Sequence, residues 1–155
     1  MLKARPAKEV VVRMPNAIGA LDAIARTVAD RGIDIFAVSS WVEGAQAVVR
    51  LVTEDSVRLL DALKAQRYEA READVIVTDV PHKPGMLHRL TETLAEDEID
   101  LHHLYATATA AQDRCLVVFT SANNDRAMVL LNRIAAGGGA GDAPSTTRTK
   151  SPGAA

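Results

Sequence analysis

The chain repeats itself at a fixed spacing. Pro15, Asn16, Gly19, Leu21, Ile33, Asp34 and Ile35 recur as Pro81, His82, Gly85, Leu87, Ile99, Asp100 and Leu101, each pair 66 positions apart with no gap needed. The same offset sets Val10 to Met14 against Ile76 to Val80, and Gln46 to Val52 against Gln112 to Val118. A sequence duplicated in register folds the same way twice, so two units of about 65 residues fill Glu9 to Ala136. The division this predicts is an N-terminal extension over 1–8, a first unit over 9–73, a second over 74–136 and a disordered tail over 137–155, which is mostly Gly, Ala, Ser, Thr and Pro without apolar period.

Within one copy the hydrophobic period changes in a readable order. Glu9 to Met14 and Asp74 to Val80 are short, rich in β-branched residues and predicted as strands. Pro15 to Gly19 and Pro81 to Gly85 break them. Leu21, Ile24, Ala25 and Val28, then Leu87, Leu90 and Leu94, form the stripe of a helix lying on a sheet. Gly32 is placed to close the first helix. Strands over Ile33 to Val42 and Ile99 to Thr109, then Ala45 to Thr53 and Arg114 to Thr120, precede second helices over Ser56 to Ala65 and Asp125 to Ala136. A fourth strand, Arg67 to Ala73, ends copy one. Its counterpart, Arg133 to Gly138, reads Arg-Ile-Ala-Ala-Gly-Gly and is predicted to be missing.

The unit is therefore β-α-β-β-α-β, and the fold class is α+β: two ferredoxin-like units with antiparallel sheets, the second lacking its last strand. Alternation puts Val10, Val12, Met14, Ile35, Ala37, Val49 and Leu51 on the helix side of the sheet. It puts Phe36, Val38, Val48, Val52, Val77, Leu104, Leu116 and Val118 on the other side, which predicts that this face or an edge is covered by a partner. The missing strand would bare the edge of Asp74 to Val80, inviting another chain or the copy-one sheet to pair there.

Composition narrows the functional classes. Lys+Arg 18 against Asp+Glu 20, a net charge of -2, offers no field for a polyanion, and five aromatics (one Trp, two Tyr, two Phe) leave little for stacking bases, so no nucleic-acid partner is expected. Charged residues interrupt every apolar run before the roughly 20 residues a spanning helix needs, and Met1 to Glu9 has no apolar stretch of signal type, so no membrane role and a cytoplasmic location are expected. Cys115, the single cysteine, can make neither an internal disulfide nor a Cys-x-x-Cys site.

The chemistry concentrates in the two strand-to-helix loops, Pro15-Asn16-Ala17-Ile18-Gly19-Ala20-Leu21 and Pro81-His82-Lys83-Pro84-Gly85-Met86-Leu87. Each leads to a helix N-terminus, where unpaired N–H groups and the positive dipole end favour an anion such as a carboxylate. Glycine allows close approach, and Asn16 both donates and accepts, which suits a zwitterion. A plain structural explanation also exists: Asn16 as helix cap and Gly19 as turn residue.

At these residues the chain resembles the ACT domain, a small-molecule-binding regulatory module. The pattern is Asn-x-x-Gly-x-Leu after a strand, then a helix, then Ile-Asp-Ile. It recurs at His82 to Leu87 with Ile99-Asp100-Leu101, and Tyr68 to Ala73 running straight into Asp74 resembles stand-alone paired ACT proteins. The resemblance implies amino-acid binding at an interface between two ACT units. By position the contacts would be Asn16, Ile18, Gly19, Ala20 and Leu21 in copy one, and His82, Pro84, Gly85, Met86 and Leu87 in copy two. At His82 the second copy departs from the family's Asp or Asn; imidazole is bulkier, and its protonated form repels an ammonium.

Other readings fit less well. An RNA-recognition motif shares the element order but needs aromatics on its central strands, where only Phe119 stands, on the helix side. A metal carrier would use paired cysteines, and Cys115 reads as a small buried hydrophobe on the helix side. His102 and His103 point to opposite faces, and His82 and His88 lack a third ligand, so no metal site is expected. Asp100 with His102 is the nearest approach to a catalytic group, but copy one has Phe36 at the matching place. Trp41 and Tyr105 are expected to pack at a sheet end or interface rather than bind a cofactor. The expectation is a non-enzyme without cofactor that binds an amino acid between its halves or across a homodimer; the alternative is a regulatory subunit docking through its exposed sheet onto an amino-acid biosynthetic enzyme.

Overall fold

A computed structural model of the chain describes residues 3–108 and 113–137. The expected tail beyond Gly137, and Thr109 and Gln112 of the predicted strands and repeat, lie outside the described residues. In chain order the elements are β1 (Lys3–Pro15), α1 (Ala20–Asp30), β2 (Ile35–Glu43), β3 (Gln46–Thr53), α2 (Ser56–Ala65), β4 (Glu69–Pro81), α3 (Met86–Glu96), β5 (Leu101–Ala108), β6 (Arg114–Ser121) and α4 (Asn124–Gly137). The six strands form one antiparallel sheet in the order β2-β3-β1-β4-β6-β5.

The two long central strands are shared. Glu9 to Arg13 of β1 lie between β3 and the segment Glu69 to Ala73, which completes the first four-stranded half. Lys3 to Lys8 of the same strand pair with Asp74 to Asp79, on the side of β4 opposite β6, and complete the second. The α+β reading of two βαββαβ units holds, and the last strand of copy two is replaced by helix, since residues 133–137 continue α4. The bared edge of Asp74 to Asp79 is filled by the chain's own N-terminal residues. β1 thus begins at Lys3 and not at the expected Glu9; Lys3, Arg5, Pro6 and Lys8 hide the strand from a hydrophobicity argument. Pro6 is tolerated because this stretch has β4 on one side only. On its free side the Asn132 amide accepts from Ala4 N–H at 3.0 Å and donates to Ala4 C=O at 2.9 Å, standing in for a neighbouring strand.

All four helices lie on one face. Val10, Val12, Met14, Val49 and Leu51 pack under α1 and α2 with Ile24, Val28, Leu59 and Leu63. Ile76, Val80, Val117 and Phe119 pack under α3 and α4 with Leu90, Leu94 and Leu131. Phe119 faces the helices, as its strand position requires, and Cys115 packs against the same core.

The opposite face differs from expectation. Val48, Val52, Val77 and Val118 are each 1–2 % exposed within the single chain, and Ala37, Val52, Val75, Val77 and Val118 form a third core. The sheet curls so that its helix-free face becomes an interior, with the outer strands β2 and β5 drawn toward each other: Trp41 of β2 lies 5.4 Å from His103 of β5. Val48, Val52, Val77 and Val118 of the face expected to need a partner are thus covered by the other half, whereas Phe36 and Val38 stay exposed.

Two β-bulges explain the remaining misplacements. The β2–β3 register shifts between Ile35 and Ala37, and the β5–β6 register shifts between Leu101 and His103, the same point of each repeat. One extra residue inverts the alternation that follows it. Ala37 therefore faces the interior instead of the helices, Val38 lies opposite Leu51 on the helix side, and Leu104 lies opposite Phe119. The third strands correspond differently from the fixed offset, because Pro15 pairs with Gln46 but Pro81 with Arg114. The β5–β6 hairpin is two residues longer, an even number that leaves the facing of Cys115 and Phe119 unchanged.

Candidate functional site

Both loops repeat in three dimensions. Each strand ends at a proline, and the next N–H returns to the adjacent hairpin, Asn16 to Ala45 C=O at 2.9 Å and His82 to Asp113 C=O at 2.7 Å. A turn follows, closed by Ala20 N–H on Ala17 C=O and by Met86 N–H on Lys83 C=O. Gly19 and Gly85 then open the helices in the left-handed region, at φ 85° and φ 84°, with no side-chain cap. The cap role considered for Asn16 is therefore unfilled. Ala23 N–H bonds Gly19 C=O at 3.0 Å and Arg89 N–H bonds Gly85 C=O at 2.9 Å, which leaves the N–H groups of Leu21 and Asp22, and of Leu87 and His88, without an intrahelical acceptor.

No atom outside the local chain stands within 4 Å of the position a Cβ would take on either glycine, so both cradles open to solvent. Asn16, Ile18, Gly19 and Leu21 are exposed while Ala20 packs against the first core; His82, Pro84, Gly85 and Leu87 are exposed while Met86 packs against the second. The two surfaces do not meet. β1 and β4 run antiparallel with Lys3 opposite Asp79 and Arg13 opposite Glu69, so the loops sit beyond opposite ends of a ladder roughly 30 Å long. One small molecule cannot be held by both loops of one chain.

The surroundings of the loops also differ. In the first half, Ile18 and Leu21 of the loop and Phe36, Val38 and Val42 along β2 are exposed, Ile18 fully. On β5, the counterpart of β2, no large apolar side chain is exposed; in copy two Leu87 and Val129 are, on its helices. Asp22 in the first turn of α1 pairs with Arg26 at 3.2 Å. The Asp100 and His102 side chains approach to 3.6 Å on the surface, and among the described residues no group of three His, Cys, Asp or Glu is placed to hold a metal. No described helix is long and apolar enough to cross a membrane.

A second cluster, not foreseen from the sequence, lies in the curled interior. Glu9 is fully buried; one carboxylate oxygen accepts from Arg50 at 2.7 Å and the other from the Tyr105 hydroxyl at 2.8 Å. Arg50 lies over the Trp41 ring at 5.6 Å, and His103 stands between Trp41 and Tyr105, 5.4 Å from each ring centre. Burial, the Glu9 charge and the hydrogen bond to it push the Tyr105 phenol well above its ordinary range. Burial, then the Arg50 charge, pull the His103 imidazole below its ordinary value. Trp41 and Tyr105 occupy an interface, as expected of them. The one available signal was Arg50 inside the apolar run of β3, a charge at an inward position. Beside this cluster a cavity of about 310 Å³ separates β2 from β5, lined by Ile35 to Ser39 and Tyr105 to Thr107.

This architecture, two α+β halves joined in one antiparallel sheet, is shared with solved structures. The chain superposes on protein BT0572 from Bacteroides thetaiotaomicron with a TM-score of 0.78 at 21% identity, covering 84% of this chain and 90% of that one. It superposes on the ligand-free regulatory subunit of aspartate kinase from Thermus thermophilus with a TM-score of 0.60 at 15% identity, covering 85% and 95%. The corresponding subunit from Thermus flavus gives 0.58 at 16%, covering 86% and 94%. No protein-family model and no curated protein sequence matches the chain.

Proposed function

We propose that the chain is a non-catalytic regulatory protein made of a tandem pair of ACT units, and that it binds an amino acid at the strand-to-helix loop of its first half, across the interface of a homodimer. The observation that carries this reading is the Gly19 cradle: a left-handed glycine opening α1, no side-chain cap, open space above it, and first-turn N–H groups without an intrahelical acceptor. The carboxylate would accept from those amides, and Asn16 would bind the ammonium. A second chain is invoked because the loops of one chain lie at opposite ends of the sheet, and because the large exposed side chains Ile18, Leu21, Phe36, Val38 and Val42 gather on the first half. Gly85 offers the same backbone, but His82 replaces the amide side chain, so the second loop is the weaker site. Occupancy would act by favouring one assembly or partner-bound state over another.

The test is a thermal-shift screen of the twenty amino acids followed by calorimetry, since a saturating ligand raises stability by mass action. One amino acid is expected to bind, Gly19→Ala to weaken it at least about tenfold through lost backbone approach, and Gly32→Ala to leave it unchanged. Gly32 has φ 61°, so that variant carries similar strain at the far end of α1. If no amino acid binds at millimolar concentration, or the two variants behave alike, the loop is not the site. A second reading is favoured by the apolar edge of β2: a subunit that docks onto an amino-acid biosynthetic enzyme through this edge. Such a subunit would neither dimerise nor bind ligand until that enzyme is added.

A further inference from the structure

We propose that His103 is a proton-sensitive latch: with the imidazole neutral, the β2 and β5 edges stay closed on each other, and its protonation opens the seam between the two halves. The inference is independent of the ligand reading. β2 and β5 are the two ends of the sheet order and have no ladder between them. At one end of the seam they meet through the Trp41–His103 ring contact, and Tyr105 on β5 reaches across the interior to Glu9 on β1. Beyond these contacts the strands part around the cavity lined by Ile35 to Ser39 and Tyr105 to Thr107. The Trp41–His103–Tyr105 stack is therefore where the curl is fastened.

His103 is half-buried, and its surroundings favour the neutral imidazole over the charged one. His103 Nε2 is buried without a hydrogen-bond partner. A second N–H on the ring would be a buried donor with no acceptor, on a cation, the costlier kind of unsatisfied group. The elements facing it offer little compensation. β3 contributes the Arg50 guanidinium, already a cation. β1 contributes Glu9, but each of its oxygens already accepts a hydrogen bond, from Arg50 and from Tyr105. β5 contributes the neutral Tyr105 phenol. β4 and β6 contribute Val75, Val77 and Val118 to this interior core. Arg13, Glu69 and Arg71 share the face but border a separate cavity at its outer end, beside Val11 and Ala70. The downward displacement of the His103 pKa, with burial its main cause and Arg50 the next, agrees with this geometry. In the open state the ring is solvated and takes its proton near the ordinary 6.5. The closed form is therefore favoured above that pH and loses its advantage below it.

The chain's single tryptophan reports on this contact directly. In the full chain, titrated from pH 8 to pH 5, the Trp41 emission maximum is expected to move to longer wavelength with a midpoint below 6.5. Hydrogen exchange of β2 and β5 amides, corrected for the intrinsic pH dependence, is expected to speed up by as much as about tenfold between pH 7.5 and 5.5, the factor by which an ordinary imidazole gains protons over that interval. His103→Phe keeps a ring in the stack and cannot take a proton; it should remain closed, with unshifted emission, throughout. His102→Gln, next in sequence but outside the stack, should leave the transition intact. A wild-type emission maximum and exchange pattern that do not change with pH overturn the latch, as does a transition that persists in His103→Phe. Because the readout is the seam and not amino-acid affinity, failure here leaves the loop site standing, and failure of the loop site leaves the latch standing.

Discussion

Single residues set the local conformations on which both halves depend, and the two copies solve one problem differently. After α1 the left-handed position is Gly32, with Ile33 N–H returning to Val28 C=O at 3.3 Å; after α3 the same position is Glu98 at φ 53°, with Ile99 N–H on Leu94 C=O at 2.9 Å. A side chain in that region costs about 1–2 kcal/mol, so Glu98→Gly is expected to raise stability by about 0.5–1 kcal/mol in urea unfolding, net of the extra chain entropy glycine brings. Glu9 shows the reverse sensitivity. Glu9→Ala leaves Arg50 unpaired in the interior and should cost about 3 kcal/mol, whereas Glu9→Leu combined with Arg50→Met should cost far less, because no charge is then stranded. Equal losses in the two variants, measured by the same unfolding curves, would show that packing and not charge is the issue.

At the scale of elements, β1 and β4 are what make one molecule of two repeats. The N-terminal stretch of β1 contributes a strand to the second half, so removing residues 2–8 should take the β1 neighbour from Asp74 to Asp79 and leave an open edge. The expected result is loss of amide protection in that stretch, together with self-association seen by size-exclusion chromatography; unchanged protection would mean the first half does not need its extension to complete the second. Asn132→Ala removes the two bonds to the Ala4 backbone and should cost about 1–2 kcal/mol in the same unfolding measurement.

For the whole molecule, the curled sheet turns buried ionisable groups into a pH window. Tyr105 stays protonated in the folded state above the ordinary phenol value of 10.0. The unfolded chain loses that proton first, so this contribution is complete below about pH 10 and fades as pH rises beyond it. His103 acts in the other direction, its contribution present above 6.5 and lost as pH falls. Stability is therefore expected to be highest between these limits in thermal unfolding across pH 5 to 11, and Tyr105→Phe should flatten the alkaline side alone. At the same scale, Val38→Lys on the exposed edge of the first half should shift the proposed dimer toward monomer in sedimentation.

Much of this was legible in the residues. The offset of the repeat, the order of elements, the glycines at the helix starts and the loss of the second unit's last strand follow from local pattern, because strand alternation, helix periodicity and turn chemistry act over a few neighbouring positions. Three things depended on the chain meeting itself at long range. The bulges after Ile35 and Leu101 reversed the facing of Ala37, Val38 and Leu104, and periodicity carries no mark of one extra residue. The strand Lys3 to Lys8 owes its place to the vacant edge of β4. Arg50 meets Glu9 diagonally on the neighbouring strand, but Tyr105, three strands away, reaches it only because the sheet curls enough to bury its helix-free face. Local pattern specified two units; their common strands and enclosed interior arose from burying what neither could cover alone.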